Sequence, residues 1–565
     1  MFANWQLTFI SIAYIALLFY IAFLGDRHYR KLNKSYQPII YALTMGVYCT
    51  SWSFLGTTGQ ASNNILSHLP IYLGPIFLFL FAWPFIQRII KVSLKLNITS
   101  IADLLASRYG KSRHLARLVT LVALIGTMPY LALQLKAIVY SFSQLQFAPD
   151  LNLWQLGLAV SLILAWFTVA FGIRSIDVTE RHPGVMLAIA FESVIKLVAF
   201  LAVGLFVCFY LYDSPMQIWR QAEQQINLNE HFSLANFTSM FALLIIVMSA
   251  FLALPRQFQV MVVELRFQKD TWLSRRVFPI YLSVFALFAI PLGLAGYMLL
   301  GETVPADAYV LFLPLVDDQK WLTLLAFLGA ISAASSMVII SAIALSTMLS
   351  NEIVFPVLFK SASQKDTDYD KFRFRLLNVR KVLVFLVILL GYSAFYFSSP
   401  DTLSSMGVIA FGAISQLTPA LIAAFFWRKS TLKGVYLGIL VGFSMWFVLN
   451  FLPQLGVYPH PFENAPVEGY NLVTLLSLAA NVFILWFVSN LTRQSVQERV
   501  QVSLFVEPDY AYRSNDEVAS PKYRQLDENE LKALVCRFVG DDVGTTKFAL
   551  FNKLNNRKLI DKPIY

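Results

Sequence analysis

Thirteen long apolar runs constrain this chain more than any other feature. They lie near 7–25, 37–60, 69–90, 115–142, 153–172, 184–212, 236–256, 277–300, 321–350, 380–398, 404–427, 433–453 and 470–490. A helix that crosses the hydrocarbon core of a bilayer needs about 20 apolar residues. In lipid every backbone N–H and C=O must be satisfied internally, so runs of this length fold as helices. Composition agrees: 57% of the 565 residues are hydrophobic, 14% are charged and the mean hydropathy is +0.62. A soluble domain would carry about 25% charged residues. The 48 Phe and 11 Trp suit lipid-facing and interfacial positions. The expected fold class is an all-α membrane protein of about 13 spans with a short cytoplasmic C-terminal segment.

The first run, Leu7 to Gly25, has no charged residue ahead of it and is followed by Asp26-Arg27-His28-Tyr29-Arg30-Lys31. A cleaved leader begins with Lys or Arg and ends at a small-residue site, so this run reads as a retained span. The loops and adjoining turns on the side of 26–36 hold 28 Lys and Arg, while the opposite side holds two, Arg220 and Lys320. The positive-inside rule then puts the N-terminus in the periplasm and the C-terminus in the cytoplasm of a multi-pass bacterial inner-membrane protein. The net charge of +11 is thus topological, and no compact basic domain points to nucleic acid. Cys49, Cys208 and Cys536 are too dispersed for a disulfide framework or a metal site.

The composition changes at Leu491. Residues 1–490 read as the transmembrane domain, 491–520 as a cytoplasmic linker, and 521–565 as the opening of a small cytoplasmic domain, incomplete at Tyr565. Within the last segment, Leu531, Leu534, Val535 and Phe538 recur at helical spacing.

No enzyme signature is visible: no phosphate-cradling loop, no zinc-binding His-Glu pair and no nucleophile elbow. Small and polar residues inside the spans carry the information instead. Ser332, Ser335 and Ser336 share one helical face. Such a row can strip water from a small cation, or it can let helices pack closely. The run from Thr44 to Gly59 is rich in Gly, Ser and Thr, which makes a poor continuous helix. A broken helix is tolerated in a membrane where its freed carbonyls line a site. Pro255 kinks or ends the seventh span. Lys136, Glu192 and Lys196 are ionisable groups within spans. Intramembrane charge marks function by default, yet Glu192 and Lys196 at i, i+4 can also form a structural ion pair.

Two sets of residues resemble known families. Gln416-Leu417-Thr418-Pro419-Ala420-Leu421, followed by Phe426-Trp427-Arg428-Lys429 and the Gly438–Gly442 helix, is similar to the sodium:solute symporter family. So is Phe171-Gly172-Ile173-Arg174-Ser175-Ile176-Asp177-Val178-Thr179-Glu180. Tyr48-Cys49-Thr50-Ser51-Trp52, Thr179-Glu180-Arg181-His182, Leu254-Pro255-Arg256-Gln257-Phe258 and Ser335-Ser336-Met337-Val338 resemble the symporter-like membrane module of bacterial sensor histidine kinases.

The resemblance covers about residues 1–490. It implies a LeuT-like core of five plus five inverted helices, from the second to the eleventh span. It also implies a cation site at Gly46, Cys49, Ser332, Ser335 and Ser336. Substrate positions would fall at Trp52, Tyr130, Val247, Phe251 and Pro255. Tyr48 stands where several family members carry Asp, which leaves no acid near that cation site and leaves Na+ or H+ open as the coupling ion. A proton route would run through Glu192 and Lys196. The implied function is cation-coupled symport of a small polar solute such as an amino acid. The implied partners are the bilayer, that solute and a histidine kinase or response-regulator pathway. The alternative is a solute-sensing receptor module that does not transport. No cofactor and no metal beyond Na+ are implied, and no kinase motif lies within the chain.

Overall fold

The computed structural model describes residues 2–28, 36–146, 152–173, 181–226, 228–357, 369–397, 403–462, 468–506, 545–546 and 548–550. Residues 174–180 of the expected loop motif lie outside them, as do Cys536 and the helical spacing near its position. The described residues form a bundle of helices. Its first part runs α1 (Asn4–His28), α2 (Gln37–Tyr48), α3 (Trp52–Asn63), α4 (Leu69–Phe81), α5 (Trp83–Leu96), α6 (Ile101–Arg108), α7 (Arg113–Leu145) and α8 (Leu153–Gly172). The second runs α9 (Pro183–Leu211), α10 (Leu234–Ala253), α11 (Gln268–Thr303), α12 (Lys320–Val357), α13 (Tyr369–Phe397), α14 (Leu403–Phe426), α15 (Leu432–Gln454), α16 (Gly469–Leu491) and α17 (Val496–Val506).

Ten of these helices are long and apolar enough to cross a membrane, or twelve if each of two bent pairs is one span. The tenth expected span, 380–398, falls on α13, which stands outside those twelve. The third expected run, 69–90, is the clearest departure. It reads as one straight span, but the chain bends by 77° at Ala82. Pro84 has no N–H to continue the helix, and α5 sets off as a separate amphipathic helix that buries Ile86, Ile89 and Ile90.

Burial sorts the bundle. Helices α7, α12 and α14 are largely enclosed by protein, whereas α1 exposes most of its length, including Trp5 and Phe9. Large apolar side chains on such a face belong against lipid. Helices α15 and α16 pack tightly because Gly438 and Gly442 leave room for Asn481; a Cβ on Gly438 would lie 2.9 Å from its Oδ1. Gln416 sits at a kink in α14 and donates to Ser477 at 2.8 Å, while Asn481 donates to the Gln416 carbonyl at 2.8 Å. The Gln-x-x-Pro segment is therefore a buried polar staple between α14 and α16.

The linker expected after Leu491 begins with α17. Ser495 and Glu498 cap its start reciprocally: the Ser495 N–H donates to Glu498 Oε2 at 2.6 Å and the Glu498 N–H to Ser495 Oγ at 3.3 Å.

Two further breaks interrupt helices of the bundle. The first is the α2/α3 pair, bent by 69°. The second is α10, where Leu254 takes an extended conformation (ψ 120°) before helix resumes at Pro255–Phe258. Proline disfavours helical geometry in the residue before it and donates no N–H, which accounts for the break. These breaks fall in the second and seventh expected spans, which the family resemblance makes the first members of its two five-helix halves, and they position the candidate site.

Candidate functional site

At the first break the α2 helix tightens over Met45–Tyr48, and Cys49 turns extended (φ −72°, ψ 101°). Gly46 allows this close packing, since a Cβ there would lie 2.8 Å from Ser193 Oγ of α9. Around the break, hydroxyls and amides replace the lost helical hydrogen bonds. Gln134 Oε1 accepts from the Ser51 N–H at 3.1 Å and from its hydroxyl at 2.8 Å. The hydroxyls of Thr50 and Tyr130 meet at 2.9 Å. The Cys49 carbonyl, freed from the helix, accepts from Lys196 Nζ at 2.6 Å. A carbonyl expected to face a free cation thus faces the chain's own ammonium.

The serine row lies behind α9. Ser335 Oγ is 2.5 Å from Glu192 Oε1 and 2.8 Å from the Ile331 carbonyl. Its one hydrogen can serve only one of these acceptors. Both contacts are satisfied together when Glu192 carries a proton and donates it to Ser335, which then donates to Ile331. Ser332 Oγ meets the Tyr14 hydroxyl at 2.5 Å, and Ser336 donates to the Ser332 carbonyl at 2.8 Å. The direct Glu192–Lys196 ion pair suggested by their spacing does not form. Each side chain, fully buried, reaches a different neighbour instead.

The expected substrate positions gather unevenly. Trp52 and Tyr130 are 6.3 Å apart between ring centroids, and both pack on Phe411, at 5.3 and 5.5 Å. Phe251 lies beside Tyr48, with centroids 5.3 Å apart. Val247 packs on α4 at Gly74, where a Cβ would lie 2.7 Å from Val247 Cγ1. Pro255 opens the half-helix whose next residue, Arg256, is buried with its guanidinium carbon 4.2 Å from the Tyr130 ring centroid. Sequence reasoning missed Arg256, Gln134 and Phe411. Arg256 reads as a positive charge at the end of a span, and only the break turns it inward. Gln134 and Phe411 carry no sequence signal beyond their place in apolar helices.

Beyond the second break, the chain is tied to the start of α9. Glu264 accepts from the His182 N–H at 2.8 Å, its carboxylate meets His182 Nδ1 at 2.7 Å, and Gln259 Nε2 donates to it at 3.0 Å. Burial pushes the Glu264 carboxyl up, but the His182 imidazole and these hydrogen bonds outweigh it and hold the group below the usual carboxylate range. Glu264 also lines a surface cleft with Gln37, Tyr41, Arg181, Pro183 and Asp270.

No family model matches the sequence. The chain is 22% identical over 423 residues to a Bacillus subtilis (strain 168) protein described as "uncharacterized symporter YodF", covering 72% of this chain and 79% of that protein. Among solved structures it resembles a Na+-coupled sialic acid symporter in a substrate-bound, outward-open state. That match has a TM-score of 0.63 at 13% identity and covers 87% of this chain and 98% of the symporter. The likeness shows the fold: a multi-span, LeuT-like membrane bundle with a transporter-like architecture.

Proposed function

We propose that the chain is a secondary transporter that moves a small polar solute, such as an amino acid, by cation symport across the bacterial inner membrane, with its C-terminus in the cytoplasm. In this reading the aromatic lining of the solute site between the two broken helices comes from Trp52 and Tyr130, which pack on Phe411, and from Phe251 beside Tyr48, with Val247 and Pro255 at its margins. Lys196 carries the reading of the coupling ion. Its ammonium donates to the Cys49 carbonyl, at the break where Gly46, Cys49 and the serines Ser332, Ser335 and Ser336 would otherwise hold Na+. A tethered ammonium supplies the positive charge that Na+ would bring to freed carbonyls. The exchangeable charge is then a proton, and Glu192 is its carrier, with Ser335 as its hydrogen-bond partner.

The test is reconstitution into proteoliposomes with labelled amino acids under an imposed proton gradient or an imposed Na+ gradient. Accumulation under the proton gradient, unchanged by Na+, is expected. Accumulation driven by Na+ alone would overturn the proton assignment.

A second reading, a receptor for a histidine kinase pathway that binds solute without moving it, is favoured by the way α17 grips the bundle. Arg88 Nε donates to the Phe505 carbonyl at 3.1 Å, Phe505 packs on Phe425, and the Leu432 N–H donates to Glu498 at 2.5 Å. A linker fastened to the ends of α14 and α15 would relay movement of those helices. Solute binding without uptake in the same vesicles would decide for the receptor.

A further inference from the structure

Arg256 is one of the largest fully buried side chains of the described residues, with 1% of its surface exposed. None of Nε, Nη1 and Nη2 has a hydrogen-bond partner. The guanidinium lies instead over the Tyr130 ring, whose hydroxyl is held by Thr50 and whose opposite neighbour is Phe411. The Tyr48 phenol and the Lys196 side chain are within its electrostatic reach, and Lys196 in turn interacts with Glu192. The ring face offers the guanidinium a cation–π attraction, whereas taking an unpaired charge out of water carries a desolvation penalty that persists after relaxation. The fold alone therefore leaves Arg256 under-compensated, at the break of α10 and against Tyr130, one of the aromatic residues assigned to the solute.

From this geometry we infer that Arg256 is the receptor for a carboxylate, and that the solute is an obligate carboxylate-bearing molecule of amino-acid size. A guanidinium presents its donors in a rigid fork that matches the two oxygens of a carboxylate. Binding would satisfy the orphaned nitrogens and offset the positive charge of Arg256. The next residue, Gln257, donates Nε2 to Met45 Sδ at 3.4 Å and leaves Oε1 buried without a partner. That acceptor suits the ammonium group of an amino acid. The inference rests on that aromatic lining being the solute site, and it narrows the solute class.

The experiment is equilibrium binding to the full chain in nanodiscs, read by thermal shift and by tryptophan fluorescence, with no gradient applied. The probes are the common L-amino acids, acetate and succinate, and the carboxamide of every probe that binds. At least one carboxylate should bind, and its carboxamide should bind roughly 10- to 100-fold more weakly, as for a lost charge-assisted bond. Arg256→Lys keeps the charge but not the fork and should weaken binding roughly tenfold or more. Arg256→Met should abolish binding while melting no lower than the wild type without ligand, because it removes an uncompensated buried charge. Four outcomes overturn the inference: no probe binds, acid and amide bind equally, Arg256→Met retains affinity, or Arg256→Met melts lower or fails to fold. Binding without uptake would sink the transport reading and leave this one standing. Uptake of a solute lacking a carboxylate would do the reverse.

Discussion

Replacing Glu192 with Gln separates carrying a proton from holding the helices together. In the structure Ser335 Oγ lies within hydrogen-bond distance of both Glu192 and the Ile331 carbonyl. A Gln amide donates to Ser335 as a protonated Glu would, so the packing of α9 on α12 is preserved and stability should change by only about 1 kcal/mol. What the variant cannot do is release a proton. With one proton moved per solute, a gradient of about two pH units supplies about 2.7 kcal/mol, enough for about 100-fold accumulation. Wild-type protein in proteoliposomes should approach that ratio with a labelled amino acid that it binds. Glu192→Gln should equilibrate the label without concentrating it, while retaining exchange of labelled for unlabelled solute when both faces are loaded. Accumulation by the variant equal to the wild type would refute the role of Glu192 and leave the proton assignment without a carrier in this site.

Ser335→Ala should mimic part of that defect, at a cost of about 1–3 kcal/mol for the unpartnered carboxyl. Ser336→Ala should be nearly silent, because Ser336 bonds within its own helix; uptake by the two single variants measures the difference. The Glu264 carboxyl is held below its usual range, so its stabilising contribution is fully present above the unfolded value of about 4.3 and is lost as pH falls through the lower folded value. Thermal melts taken into acid should show that loss, and Glu264→Gln should flatten the curve. Removing the imidazole with His182→Ala takes away the charge partner of a buried carboxylate, leaving it the residue-182 N–H and Gln259, and should cost about 3 kcal/mol. A reporter fused to the C-terminus should be active only in a cytoplasmic form; periplasmic activity would invert the topology drawn from the charges.

The membrane class was legible because apolar runs of span length have no other stable solution. The first break was legible too: the Gly-, Ser- and Thr-rich run from Thr44 to Gly59 announces a poor helix, and the chain bends there by 69°. The third run was not, because it holds Pro70, Pro75 and Pro84, and Pro75 sits inside α4 without ending it, so a proline in the run does not reveal whether the helix kinks mildly or turns by 77°. The chemistry around the first break was only half legible. The spacing of Glu192 and Lys196 suggests that each satisfies the other. A helix permits that pairing but does not require it, and tertiary partners on two different helices win: the Cys49 carbonyl takes the ammonium and Ser335 takes the carboxyl.

That separation has a consequence for how the two halves of the bundle divide the work. Lys196 belongs to the first half and faces the first break. Arg256 belongs to the second half and sits immediately after the second. Two buried cations near one another repel, and that repulsion is relieved by an anion arriving between the halves or by a proton leaving the site. A solute carboxylate at Arg256 stabilises the charged form of Lys196 by its own negative charge. Occupancy of the solute site and proton occupancy of the Glu192–Lys196 site are then linked through a shared electrostatic field, and linkage is reciprocal. Whatever solute binding does to the proton affinity of that site, protonation must do by the same factor to the affinity for the solute. Solute affinity in nanodiscs should therefore change with pH in wild type and lose much of that dependence in Glu192→Gln. A pH dependence identical in the two would mean that Glu192 does not share the field of Arg256.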